Sequence, residues 1–273
     1  MPEFLKASEK NTKDKEKIIV ALDVETALEA REIIAELREE VGAFKIGLQL
    51  FTSAGASFVS ETVASGNKIF LDLKFHDIPN TVAKASVEVA RLGVWMFNIH
   101  AVGGGEMMRK TVEEVKVICE RENLIQPKII GVTVLTSSNR ETLRETGIEK
   151  ETGGQVVSLA QLTAKYGLDG VVASPHEVKL IRENVERKDF LIVTPGIRSS
   201  KFEVQSSKPE VKNESRFGIL NLESETYEDQ KRVMTANEAV RSGSNYLVIG
   251  RPILQARDKI LAVREIIKEI ETP

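Results

Sequence analysis

Asp72 and Lys74 stand two residues apart in the run Ile69-Phe70-Leu71-Asp72-Leu73-Lys74-Phe75, and Asp77 follows three residues later. An extended chain turns alternate side chains to one face, so this acid and this amine share a face. Lys45, inside Phe44-Lys45-Ile46-Gly47, is a second charge embedded in a short apolar run, and Asp23 closes the run Ile18 to Leu22. Each of these charges, taken singly, also fits a solvated strand end. Taken together they form a set of alternating sign at the C-terminal ends of apolar runs. Burying a lone charge is costly, whereas an acid–base array avoids that cost and presents a fixed field to charge developing on a substrate.

A second group is built for an anion. Thr194-Pro195-Gly196-Ile197-Arg198 and Ile249-Gly250-Arg251-Pro252 both end an apolar run with a glycine and an arginine. Glycine lets backbone N–H groups approach phosphate oxygens, and a guanidinium forks onto them. Gly-Arg-Pro can also simply turn the chain. Other candidates are weaker. His76, His100 and His176 lack metal-ligand spacing, and no metal is expected. His100 is expected to pack or hydrogen-bond near the pocket rather than transfer protons. Gly103-Gly104-Gly105 opens a helix but lacks the first-strand position and downstream acid of a dinucleotide fingerprint. The single cysteine, Cys119, sits in a helical pattern and reads as a structural thiol; alone, it excludes an intrachain disulfide.

The elements that must position these groups are legible as alternation. Candidate strands are Ile18–Leu22, Phe44–Ile46, Lys68–Leu73, Met96–His100, Ile129–Val134, Gly170–Ala173, Leu191–Thr194 and Tyr246–Ile249. Most are dense in Val, Ile and Leu, as strands buried on both faces are. Helical patterns separate them. Thr26 with Glu29, Ser174 with Glu177 and Thr235 with Glu238 each fit a capping box, and Pro175 suits a first helical position. Eight βα units in 273 residues predict a single-domain (β/α)8 TIM barrel, with an open doubly wound sheet as the alternative. In such a barrel the charges above gather at the C-terminal mouth, where barrel enzymes carry their chemistry. The loops after strands seven and eight supply a phosphate site there.

Composition removes several classes. At 41% hydrophobic and 29% charged the chain is of ordinary globular type, and a net charge of −3 gives no bulk reason to expect nucleic acid or an anionic membrane as partner. No apolar run approaches the ~18 residues of a membrane helix. Residues 1–17 are rich in Lys and Glu, lack a secretory apolar core and read as a solvated polar extension, which leaves the cytoplasm as the expected location. The barrel is expected over 18–273, with an enlarged, polar loop at about 199–229 in which Phe217-Gly218-Ile219-Leu220 is the apolar cluster.

The stretch Ile69 to Thr81 resembles the signature of the orotidine 5′-monophosphate decarboxylase family, Asp-x-Lys-x-x-Asp followed by Ile-Pro and then Thr. Sugar-phosphate relatives on the same barrel share the charged part. Ile78-Pro79-Asn80-Thr81, Ala21-Leu22-Asp23-Val24 and Val134-Leu135-Thr136-Ser137 narrow it. So do Pro195-Gly196-Ile197-Arg198, Gln230-Lys231-Arg232-Val233 and Ile249-Gly250-Arg251-Pro252. The resemblance runs from Ile18 to about Arg264.

The resemblance implies a metal-free carboxy-lyase of pyrimidine biosynthesis that converts orotidine 5′-monophosphate to uridine 5′-monophosphate without a cofactor. It implies that Lys45, Asp72 and Lys74 form a charged network with Asp77 from a second subunit of a homodimer, and that Lys74 protonates the C6 carbanion. Asp23 and Lys45 would hold the ribose, and Thr136 and Ser137 would border the pyrimidine, with Thr81 contributing across the interface. Gln230, Gly250 and Arg251 would bind the phosphate, with Pro195 and Arg198 on the adjoining segment. The chain departs from the family pattern in two places: Ser199 stands where the family often has Pro, and the segment from Arg198 to Gln230 is much longer than usual. That segment reads either as a larger lid or as an outward bulge.

Two rival functions follow from the same residues. One is a Mg²⁺-dependent sugar-phosphate decarboxylase or aldolase, in which an acid near the second strand helps hold the metal; Lys45 occupies that strand end here and would repel a cation. The other is a catalytically silent phosphate-binding barrel, against which the intact Asp72, Lys74 and Asp77 set argues.

Overall fold

The computed structural model describes residues 14–198 and 234–272. Eight parallel strands close into a barrel: β1 (Ile18–Ala21), β2 (Ala43–Gly47), β3 (Ile69–Phe75), β4 (Met96–His100), β5 (Lys128–Val132), β6 (Gly170–Val172), β7 (Leu191–Pro195) and β8 (Tyr246–Ile249). Each strand pairs with its sequence neighbours, and β1 closes on β8 through Ile18 opposite Leu247. The open-sheet alternative is thereby excluded, and all eight expected strands are present to within about two residues at their ends.

Two apolar layers account for the closure. A small cluster takes side chains from all eight strands, among them Ile19, Ala43, Phe70, Met96, Ile130, Val172, Val193 and Val248, and fills the barrel interior. A larger cluster joins the outward strand residues, such as Ile18, Val20, Ile69 and Leu71, to the surrounding helices. The helices present the stripe that this requires: α1 (Ala27–Leu37) buries Ala30, Ile33, Ile34 and Leu37, and the last helix (Lys259–Glu271) buries Ala262, Val263, Ile266, Ile267 and Ile270.

The interior register carries the functional argument. Ala21 pairs with Lys45, Lys45 with Phe70, and Gly47 with Asp72. Stepping by two toward the C-terminal ends, the interior positions change from Ile19, Ala43, Phe70 and Met96 to Asp23, Lys45, Asp72 and Asn98. The bottom of the barrel is oil and its mouth is charge.

Strands β7 and β8 are clamped at their N-terminal ends. The Arg182 guanidinium donates to the carbonyls of Gly243 (2.7 and 3.1 Å) and Phe190 (2.6 Å) and to Asn245 Oδ1 (2.6 Å), which in turn accepts from Ile192 N–H. Residues 14–17, read from the sequence as the end of a solvated extension, are instead docked: Asp14 is buried and pairs with Lys17 at 2.7 Å, and Glu16 pairs with Lys68 at 2.8 Å.

Of the three expected capping boxes one is complete, at Thr235 and Glu238 ahead of the helix Ala236–Arg241. Thr26 accepts from Glu29 N–H without the return bond. Ser174 makes no cap bond, because Pro175 begins a 3₁₀ turn rather than an α-helix.

Candidate active site

Four charges line up at the mouth with alternating sign. Lys45 Nζ lies 2.9 Å from Asp23 Oδ1 and 3.6 Å from Asp72 Oδ2, and Lys74 Nζ lies 2.7 Å from Asp72 Oδ1. Lys45 is buried and Asp72 nearly so, whereas the Asp23 side chain is 62% exposed and forms the open end of the row. Burial alone would raise the Asp72 pKa. The Lys45 and Lys74 charges and the hydrogen bonds from Lys74 and Asn98 outweigh it and hold the carboxyl below its ordinary value. Asp72 is therefore favoured as a carboxylate between the two amines, and the Lys74 end of the row is partly open.

Simple alternation along β3 predicts that Asp72 and Lys74 share a face. Their side chains do meet, but the backbone route is irregular. Between Leu71, opposite Phe97, and Phe75, opposite Ile99, three residues of β3 face the single residue Asn98 of β4. This is a bulge, a device frequent beside active sites because it re-aims a side chain. Lys74 absorbs it with φ of +52°, a left-handed conformation that costs a non-glycine residue about 1–3 kcal/mol.

Asn98 is the site residue that the sequence did not single out. It is 1% exposed, donates from Nδ2 to Asp72 Oδ1 at 2.6 Å, and accepts at Oδ1 from the Lys74 backbone N–H at 2.8 Å. The available signal was its place: a polar residue at the centre of Met96-Phe97-Asn98-Ile99-His100. His100 lies one step further up the same face, half-buried, with its ring 5.5 Å from that of His76. Burial first, then the neighbouring His76 and Lys74 charges, lower the His100 pKa and favour neutral imidazole.

Asp77 does not join the row within one chain. It is exposed, and its carboxylate accepts from the Ile78 N–H at 2.6 Å. Thr81 is exposed in the first turn of the helix Pro79–Arg91. Thr136, half-buried, and Ser137, exposed, occupy the turn after β5.

At the segments expected to bind phosphate, Val248 pairs with Pro195, so the ends of β7 and β8 are neighbours. Gly196 follows Pro195 with φ of +81°, a turn that glycine makes without strain. Arg198 is exposed at the end of a two-residue pairing with Met234–Thr235. Gly250 approaches the charged row closely: a Cβ there would sit 3.4 Å from Asp23 Oδ2 and 3.5 Å from Ala21 Cβ. Arg251, exposed, opens the short helix Arg251–Leu254. The structure thus sets Gly250 beside the Asp23 end of the row. Gln230, Ser199 and the loop cluster at 217–220 lie outside the described residues.

The chain is similar to known proteins in sequence and in fold. A model of the orotidine 5′-phosphate decarboxylase / HUMPS family matches residues 16–216. The orotidine 5′-phosphate decarboxylase of Geobacter metallireducens is 49% identical over 256 residues, covering 94% of this chain and 96% of that protein. The enzyme of the same name from Syntrophotalea carbinolica is 46% identical over 256 residues, covering 94% and 95%. A crystal structure of orotidine 5′-phosphate decarboxylase from Lactobacillus acidophilus superposes with a TM-score of 0.75 at 33% identity, over 93% of this chain and 99% of that one.

Proposed function

The chain belongs to the orotidine 5′-phosphate decarboxylase / HUMPS family, and from that premise we propose that its charged row decarboxylates orotidine 5′-monophosphate without a metal ion. The products are uridine 5′-monophosphate and CO2, and the reaction is a step of pyrimidine biosynthesis. The observation that carries the mechanism is Asp72 held between two ammonium groups, with Lys74 at 2.7 Å and Lys45 at 3.6 Å.

The chemistry sets the requirement. The substrate's carboxylate is on a ring carbon with no adjacent electron sink, so loss of CO2 leaves a localised carbanion at C6. A preorganised cation stabilises that charge as it forms, and its stabilisation lowers the barrier because it is stronger in the transition state than in the ground state. Lys74 is that cation: the ion pair to Asp72 fixes its ammonium, which then gives a proton to C6. Asp72 lies against the departing carboxylate. Asp23 and Lys45 hold the ribose hydroxyls, Thr136 and Ser137 border the pyrimidine, and Gly250, Arg251, Gln230, Pro195 and Arg198 take the phosphate. The proximity of Gly250 to Asp23 supports this order, since ribose and phosphate are neighbours in the nucleotide.

The proposal includes a homodimer in which Asp77 and Thr81 enter the partner's site. Supporting it, Asp77 is exposed with its carboxylate accepting from the Ile78 N–H, and Ile78, Val102 and Leu135 are exposed apolar side chains following the adjacent strands β3, β4 and β5. The proposed arrangement of the chain is one barrel over 18–273, with a polar extension before it and an enlarged loop at about 199–229, in the cytoplasm. No described helix is long and apolar enough to cross a membrane.

The metal-dependent reading of the same family is disfavoured by one contact: the Lys45 ammonium sits between the Asp23 and Asp72 carboxylates, where a divalent cation would have to bind. The test is the loss of orotidine monophosphate absorbance with EDTA present. Full activity in EDTA supports the proposal. Activity in EDTA excludes the metal-dependent relative, any turnover excludes a silent binding barrel, and absence of turnover in either condition overturns the proposal.

A further inference from the structure

Three residues of β3, Asp72, Leu73 and Lys74, span the same stretch as the single residue Asn98 of β4. A bulge of this kind breaks the ladder and leaves backbone groups without a strand partner. Here the break falls on the two residues that carry the reaction. The Asn98 side chain fills it. Its Oδ1 accepts the Lys74 N–H at 2.8 Å, which anchors a backbone held at φ of +52°, and its Nδ2 donates to Asp72 Oδ1 at 2.6 Å. A backbone N–H on one side and a carboxylate on the other admit only one orientation of the amide, so the two contacts specify each other.

We propose that Asn98 is a positioning residue for the decarboxylation: its amide replaces the lost ladder bond at Lys74 and, through the same group, fixes the Asp72 carboxylate, so that the Asp72–Lys74 pair is set before substrate arrives. The assignment of the reaction rests on the function proposed above; the structural role of Asn98 does not. Asn98 is 1% exposed and Asp72 Oδ1 already receives the Lys74 ammonium, so the amide acts on the pair from behind, at the β4 side of β3. Three alternatives of similar or smaller size fail at this spot. Asp would present a like charge to Asp72, Ser falls short of spanning both groups, and Leu offers neither donor nor acceptor.

Asn98→Ala tests the idea, with Asn98→Leu as the size-conserving variant that keeps the apolar layers of β4 filled should the alanine form fail to fold. Two readouts separate positioning from bulk stability. In steady-state assays with orotidine monophosphate, kcat falls about ten- to a hundredfold while KM stays within about threefold, the pattern of a misplaced reacting group. In the free protein, the ¹³C resonance of the Asp72 carboxyl, assigned by comparison with Asp72→Asn, titrates at higher pH than in the unsubstituted chain. Unchanged kcat, a loss confined to KM, or an unmoved Asp72 titration in the variant that folds overturns the proposal. If the unsubstituted chain fails to turn over orotidine monophosphate, the function assignment is what falls. The Asp72 titration then still decides the role of Asn98.

Discussion

Lys74 occupies a backbone conformation that lysine enters at a cost, and it does so where its ammonium must meet Asp72. Replacing it separates chemistry from stability. Lys74→Ala should lower kcat by about a thousandfold or more, because a cation aimed at developing charge is lost. Lys74→Gly should be equally inactive yet more stable than the alanine form by about 1 kcal/mol, since glycine adopts a positive φ freely. Thermal unfolding of the two inactive variants measures the difference, and an alanine form as stable as the glycine form would show that the turn is unstrained. Asp72 supplies the pH dependence. Its folded pKa is depressed, so its contribution to stability is complete above the ordinary carboxylate range and is lost as pH falls through the lowered folded value. Lys45→Met removes the largest of the charges that oppose burial. The Asp72 pKa should then rise, and the acid limb of kcat/KM should move to higher pH. A limb that stays in place would mean that another group controls it.

At the scale of elements, one sequence pattern had three outcomes, the half-made box at Thr26 lying between two extremes. Thr235 and Glu238 form the full box, with Thr235 accepting from Glu238 N–H and Glu238 accepting from Thr235 N–H. The Ser174 hydroxyl, in the same pattern, is buried with no partner among the described residues. Thr235→Ala should therefore cost about 1 kcal/mol, or about 2 to 4 °C in Tm, whereas Ser174→Ala should be neutral or slightly stabilising. Equal losses in calorimetry would show that Ser174 caps after all. The contrast marks what was legible in the chain. The strands follow from dense apolar runs separated by helical patterns, and Asp23, Lys45 and Asp72 from their places in or at the ends of those runs; all three side chains are found in the row. The bulge is not written in residue types, because its pivot is a lysine rather than a glycine; it follows from β4 offering one residue where β3 offers three. Asn98 was missed for the same reason. Its partner is a backbone N–H freed by that irregularity, and strand alternation gives such a group no place. Pro175 likewise fits a helix start, but whether the next turn is α or 3₁₀ depends on tertiary contacts.

Across the whole molecule, the row Asp23–Lys45–Asp72–Lys74 is complete in charge within one chain, but its Lys74 end is partly open. The next acid in sequence, Asp77, lies exposed beside the apolar Ile78. In an isologous dimer the same surface meets itself, so an acid that leaves its own site can enter the partner's. Mixing Lys74→Ala chains with Asp77→Ala chains tests this directly, since each is inactive alone if both residues are needed. In a mixed dimer one site receives both lesions and the other receives neither. With random subunit exchange, on the order of a quarter of the unsubstituted activity should therefore return, and it should rise with the time allowed for exchange. If Asp77 instead serves its own chain, every site in every dimer carries one lesion and nothing returns. Exchange can be verified separately by differently sized tags on the two variants, so that an absence of activity in demonstrably mixed dimers counts against the shared site rather than against mixing.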